Sequence, residues 1–152
     1  MTTNNIRYLY STETGIELIF CENSTISYPL HNHISVLTIG IILDGNVILT
    51  TNQETKVYKQ NETFAISPYV PHSIGAYDSY TLLSLCIDKD VINNIDISTI
   101  QKRITLLLTQ ALDIGKINQY QILQLLNRLD KIAGSSEWQL KKHAPYIHNL
   151  KK

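Results

Sequence analysis

As far as Asp88, apolar positions fall in short runs broken by turn residues, which is the pattern of strands rather than helices. Ile16 to Cys21 is rich in β-formers. Thr25 to His31 follows, and Pro29 confines it to an edge or a bulge. Val36 to Leu43 is almost wholly apolar and β-branched, as a strand buried on both faces should be. Asp44-Gly45 is a hairpin signal, because glycine supplies the positive φ. Val47 to Thr51 and Thr55 to Lys59 pair around Asn52-Gln53, Asn61-Glu62 makes another turn, and Phe64 to Ser67 forms a short strand. Pro68-Tyr69-Val70-Pro71 is a loop, since proline removes donors and restricts its neighbours. Ser79 to Ile87 is the closing strand. Turn signals every 8–12 residues or so point to a sandwich or a barrel.

The period then changes. Ile100, Ile104, Leu107, Leu108 and Ala111 recur at helical spacing, with Ser98 as the expected N-cap and Gly115 as the stop. A second amphipathic run holds Ile122, Leu125, Leu126, Leu129, Ile132 and Ala133, capped by Asn118 and ended by Gly134. Ile122, Leu126, Leu129 and Ala133 fall close to one stripe, which an antiparallel two-fold pairing would bury; packing within the chain is the other reading. Ser135 to Lys152 is polar apart from Trp138, Leu140, Tyr146, Ile147 and Leu150. At the other end, Ile6, Tyr8 and Leu9 suit either a lid over the β unit or an edge strand.

A chain of 152 residues is one domain, or one domain with an appendage. Lys plus Arg number 13 and Asp plus Glu number 13, so the chain lacks the positive excess of a nucleic-acid binder. Nine tyrosines suit the wall of a wet cavity, because the ring buries while the hydroxyl stays polar. Cys21 and Cys86 form no C-x-x-C pair and read as buried thiols of a reducing compartment, hence a cytoplasmic protein. No apolar run approaches the roughly 20 residues of a membrane span. Ser67, Ser73 and Ser84 have no nucleophile elbow around them, and no glycine-rich phosphate loop exists, so no enzyme is expected. Asp88 and Asp90 read as solvated strand ends.

His31, His33 and His72 carry the candidate chemistry. As metal ligands they would offer three imidazoles with open positions. As effector contacts they would exchange hydrogen bonds with a polar ligand, and as structural groups they would bond within the β unit. His31-Asn32-His33, Ile39 to Gly45, Phe64-Ala65-Ile66-Ser67-Pro68 and Pro71-His72-Ser73, followed by two helices, resemble the cupin superfamily, and more narrowly the N-terminal sensor domain of AraC-type transcription regulators. The resemblance spans about residues 16 to 134 and implies a fold that is mainly β with C-terminal helices: a cupin (jelly-roll) barrel of about eight strands, then an antiparallel α-helical hairpin. It implies an effector-binding barrel over 1–92, a dimerising hairpin over 96–134 through Ile122, Leu126, Leu129 and Ala133, and over 135–152 the start of a linker to an absent DNA-binding domain. A small-molecule effector would meet His31, His33, Thr38, His72, Tyr28 and Tyr80, and DNA would be reached only through the missing domain. Thr38 stands where metal-binding cupins resemble one another in carrying glutamate, so no cofactor is expected, although His31, His33 and His72 could pick up an adventitious divalent metal. The alternative is a small metal-dependent cupin enzyme, an oxygenase or isomerase, built on the same three histidines.

Overall fold

A computed structural model describes residues 5–11, 15–25, 28–31, 36–51, 54–67 and 70–134, with 5–11 and 28–31 described by backbone only. The described strands are β1 (Asn5–Ser11), β2 (Ile16–Ser24), β3 (Tyr28–His31), β4 (Val36–Asp44), β5 (Val47–Thr51), β6 (Thr55–Tyr58), β7 (Thr63–Ile66), β8 (His72–Gly75) and β9 (Tyr80–Asp88). Helices α1 (Lys89–Asn94), α2 (Ile97–Asp113) and α3 (Gln119–Ala133) follow. The strands form two antiparallel sheets, one in the order β1-β2-β9-β4-β7 and the other β3-β8-β5-β6.

Side-chain alternation in the five-stranded sheet separates two cores. Ile16, Leu18 and Phe20 of β2, Leu83, Leu85 and Ile87 of β9, and Leu37, Ile39, Ile41 and Leu43 of β4 meet α1, α2 and α3. The intervening positions Cys21, Ile42, Leu82, Phe64 and Ile66 pack instead with Val47, Leu49 and Tyr58 of the other sheet. The strand Val36–Asp44 is apolar nearly throughout because each of its faces lies against a different layer.

The expected closed barrel is not formed. Among the described strands, one sheet ends on β1 and β7, the other on β3 and β6, and no ladder joins them. Closure needs every edge strand to find a hydrogen-bonded neighbour with matching tilt and stagger. Here most connections carry the chain from one sheet to the other, so consecutive strands lie across the core from one another instead of edge to edge. The Asp44-Gly45 turn shows this. It joins no hairpin but passes from β4 in one sheet to β5 in the other. Gly45 has φ +79°, and a methyl group there would stand 2.5 Å from the Ser79 carbonyl oxygen, so the crossing needs glycine twice over.

The helices are anchored by their caps. Asp88 ends β9 and also caps the next element: its carboxylate accepts from the backbone N–H of Asp90 at 2.9 Å and starts α1. Asp96, two residues before the expected Ser98, caps α2 by accepting from the Thr99 N–H at 2.8 Å, and this bonding lowers its carboxyl pKa. Asn118 and Gln121 form a capping box on α3, and the Gln121 side chain also donates to Asn61 Oδ1 at 3.0 Å in the β6–β7 turn. Gln101 donates to Asp130, placing the start of α2 beside the end of α3, so the two run antiparallel. Lys116, between them, reaches Glu22 of β2 at 3.4 Å. Among the described residues no helix is long and apolar enough to cross a membrane.

Candidate functional site

The face of the five-stranded sheet that looks toward the second sheet is built of cross-strand rows. At one end Ser24 is opposite Tyr80, and Cys21, Leu82 and Ile42 make the next row. Ile19, Ser84, Gly40 and Phe64 follow. A methyl group at Gly40 would lie 2.4 Å from the Phe64 ring, so the ring rests directly on the β4 backbone. The last inward-facing row is Glu17, Cys86, Thr38 and Ile66. Apart from the hydrogen-bonded Ser24–Tyr80 pair and Ser84, the face thus changes from apolar to polar along its length.

The second sheet matches this change. Val47, Leu49, Tyr58 and Ile74 pack against the apolar rows. His72, two residues before Ile74 and therefore on the same face, is opposite both Thr51 of β5 and His31 of β3. Connectivity brings the two polar rows to one end. Residues 67–71 take the chain from Ile66 to His72, and residues 32–35 take it from His31 to Val36, so both polar rows adjoin links between the two sheets.

Glu17 is half-buried, while Thr38 and His72 are only 6% and 1% exposed. Thr38 Oγ1 lies 3.8 Å from Cys86 Sγ, a weak hydrogen bond to sulfur. Nδ1 of His72 lies 2.9 Å from the Val70 carbonyl, so it carries the proton and donates it. Burial pushes the Cys86 thiol up to about 11; a hydrogen bond from Thr38 opposes the rise and the Glu17 charge adds to it. The thiol is therefore protonated at neutral pH and is not an activated nucleophile. Cys21 is likewise raised by burial.

A test follows for Cys86. Its folded pKa stands above the ordinary 9.0, so the folded state holds the proton longer than the unfolded chain does. The Cys86 contribution is complete below pH 9 and is lost as pH rises through about 11, a fall of about 3 kcal/mol. Urea unfolding across that range should show a shallower decline in Cys86→Ala than in the parent; equal slopes would mean that burial of Cys86 does not set its titration.

The expected site residues are therefore only partly gathered. Thr38 and His72 face the same inter-sheet end, and β3–β8 register puts His31 opposite His72. Tyr28 is opposite Ile74, and its side chain lies outside the described residues, as do that of His31 and the whole of His33. Tyr80 belongs at the other end, where it is buried in the inter-sheet core and its hydroxyl bonds Ser24; burial raises its pKa against that bond. Ile122 and Leu129 of the supposed dimer stripe are buried in the chain's own core, and Leu126 and Ala133 pack against it half-buried. Among the described residues no group of three His, Cys, Asp or Glu side chains is arranged to hold a metal ion. The sequence reading missed Glu17 and Cys86. Their signal was the alternation of Glu17 with Ile16 and Leu18, and of Ser84 and Cys86 with Leu83, Leu85 and Ile87.

Comparison with known proteins gives this arrangement a family. The model of the AraC-like ligand binding domain matches residues 13–142. The chain belongs to that family. It is a ligand-binding domain rather than an enzyme, which displaces the oxygenase or isomerase alternative. The fold is similar to the Schizosaccharomyces pombe Cnp3 cupin domain, with TM-score 0.53 and 17% identity over 61% of this chain and 70% of that one. It is also similar to a cupin superfamily protein from Desulfitobacterium hafniense DCB-2, with TM-score 0.51 and 12% identity over 56% of this chain and 77% of that one. At these identities the likeness concerns the cupin fold alone. A search of curated proteins finds no match to the sequence.

Proposed function

We propose that this AraC-like domain senses a small molecule held between its two sheets, at the end formed by Glu17, Thr38, Cys86 and His72, with His31, His33 and Tyr28 completing the wall. The observation that carries this reading is the row at one end of the inter-sheet face that joins the carboxylate of Glu17 to a thiol and a buried hydroxyl. Among the described residues Thr38 Oγ1 has a weak thiol partner and the Glu17 carboxylate has none, so both keep hydrogen-bonding capacity for a further partner. A ligand with hydrogen-bonding groups would supply that partner. Binding would shift the protein toward whichever arrangement holds the ligand better, and β4 and β9 form both the site and the floor beneath the helices.

In this reading the helices carry the output. Tyr120 and Leu123, three residues apart on α3, are both 55% exposed. They, rather than buried Ile122 and Leu129, would meet a second copy of the chain, with half-buried Leu126 and Ala133 at the margin. DNA would be contacted through another domain of a cytoplasmic regulator, with residues 135–152 leading toward it. The direct test is a thermal-shift screen of sugars, amines and organic acids, since a ligand of the folded state raises its melting temperature. A hit should lose its effect in Thr38→Leu, which fills the polar end with an isobutyl group. A hit unaffected by Thr38→Leu would place the ligand elsewhere.

A further inference from the structure

The turn between β6 and β7 is a meeting point of both sheets and a helix. Residues 59–62 carry the chain from the second sheet to the first. The turn is closed on itself: the Glu62 N–H donates to the Lys59 carbonyl at 2.9 Å, and the Lys59 N–H donates to Glu62 Oε1 at 2.7 Å. It is also held on β4, where the Asn61 N–H donates to the Ile42 carbonyl at 2.7 Å and the Ile42 N–H donates to the Glu62 carbonyl at 3.1 Å. Asn61 has φ +69°, a left-handed conformation that asparagine adopts more readily than most residues. Its Oδ1 accepts from Gln121 Nε2 at 3.0 Å, and Gln121 is only 6% exposed. The same Gln121 side chain accepts from the Asn118 N–H at 3.0 Å through Oε1. One buried amide therefore closes the capping box of α3 and grips the inter-sheet turn.

A capping box needs only its own two residues, so the bond to Asn61 supplies something that the helix end does not require. Ile122, Leu125 and Leu129 bury α3 in the core it shares with the five-stranded sheet, but apolar burial is non-directional. A buried hydrogen bond is directional and costs stability when its partners separate. Tyr120 and Leu123 flank Gln121 in the first turn of α3. We infer that Asn61 is the positioning residue for the exposed Tyr120–Leu123 face: through Gln121 it makes the start of α3 follow the junction between the two sheets. Tyr58 just before the turn and Phe64 just after it pack together in the inter-sheet core, with ring centroids 5.6 Å apart. On the sensing reading above, on which this inference rests for its use, a ligand between the sheets would act on that junction from both sides.

No ligand is needed to test this, so the outcome is separate from that of the sensing site. Leu49→Val removes one methylene from a second-sheet side chain that is 5% exposed and lies in the inter-sheet core. In the isotope-labelled whole chain, that change should displace the backbone amide signals of Asn61 and of Tyr120 to Leu123. Asn61→Gly keeps the left-handed turn and deletes the side-chain amide. In that background the displacement of Tyr120 to Leu123 caused by Leu49→Val should shrink roughly threefold or more. Asn61→Asp keeps an acceptor for Gln121 and tolerates the same φ, so it should restore the response. An Asn61 that merely anchors the helix would change overall stability but leave the response to Leu49→Val the same in all three backgrounds. That equality, no displacement of Tyr120 to Leu123 in the parent, or an Asn61→Asp response as small as that of Asn61→Gly would overturn the inference and leave the sensing site standing on its own screen.

Discussion

Phe64→Ala should destabilise the protein by about 3–5 kcal/mol in urea unfolding, the range for emptying an aromatic site in a well-packed core. The ring is 2% exposed, tilts against Tyr58 with centroids 5.6 Å apart, and covers Gly40 where no other residue fits. Removing it uncovers the β4 backbone in the space between the sheets, and neither sheet can collapse without disturbing the other. The reverse change makes the same point. Gly40→Ala puts a methyl group 2.4 Å from the ring and should cost about 1–3 kcal/mol by overpacking. Combining Gly40→Ala with Phe64→Leu should cost less than the two changes added separately, because the smaller side chain yields the room the methyl needs. Strict additivity would show that Phe64 and Gly40 do not share one packing site.

Leu85→Ala should cost about 2–5 kcal/mol and should lower the stability of strands and helices together. Leu85 is at the centre of β9, opposite Leu18 on one side and Ile39 on the other, and all three are at most 1% exposed. The cluster that contains them also holds Ile100, Ile104 and Leu108 of α2, and Leu125 and Leu129 of α3. Circular dichroism at a helix-sensitive wavelength and tyrosine fluorescence should therefore report one coincident transition at a lower urea midpoint. If the helices melted separately at an unchanged midpoint, the helical layer would be an independent unit and the shared core would be wrong.

Much of this architecture is written in local patterns. The strands beginning at Ile16, Val36, Val47 and Thr55 start where their apolar runs start, and Asn118 and Gly134 bound α3 as capping chemistry requires. Short features without flanking turn signals of their own were harder. The strand His72–Gly75 follows a proline-rich loop and has too few positions to show a period, and the same holds for the single turn and a half of α1. Barrel closure was not legible either, because alternation along a strand reports that a face is covered but not whether edges meet. Asp44-Gly45 looks the same at a hairpin and at a crossing between sheets. The stripe of Ile122 and Leu129 was read correctly as apolar, yet a stripe does not name what covers it, and here the covering surface is the chain's own sheet. The polar row escaped for a related reason. Glu17, Cys86 and Thr38 are far apart in sequence and become neighbours only through the β2–β9 and β9–β4 registers.

The central claim is that the ligand enters the space between the sheets at the end holding Thr38, Cys86 and His72. Backbone amide shifts of the isotope-labelled chain, followed while a mixture of small amines, sugars and organic acids is added, test it most directly. The account predicts that the amides of Glu17, Thr38, Cys86 and His72 move together, with those of Ser24 and Tyr80 at the far end nearly still. Shifts confined to Ser24 and Tyr80, or to the outer faces of α2 and α3, would contradict it.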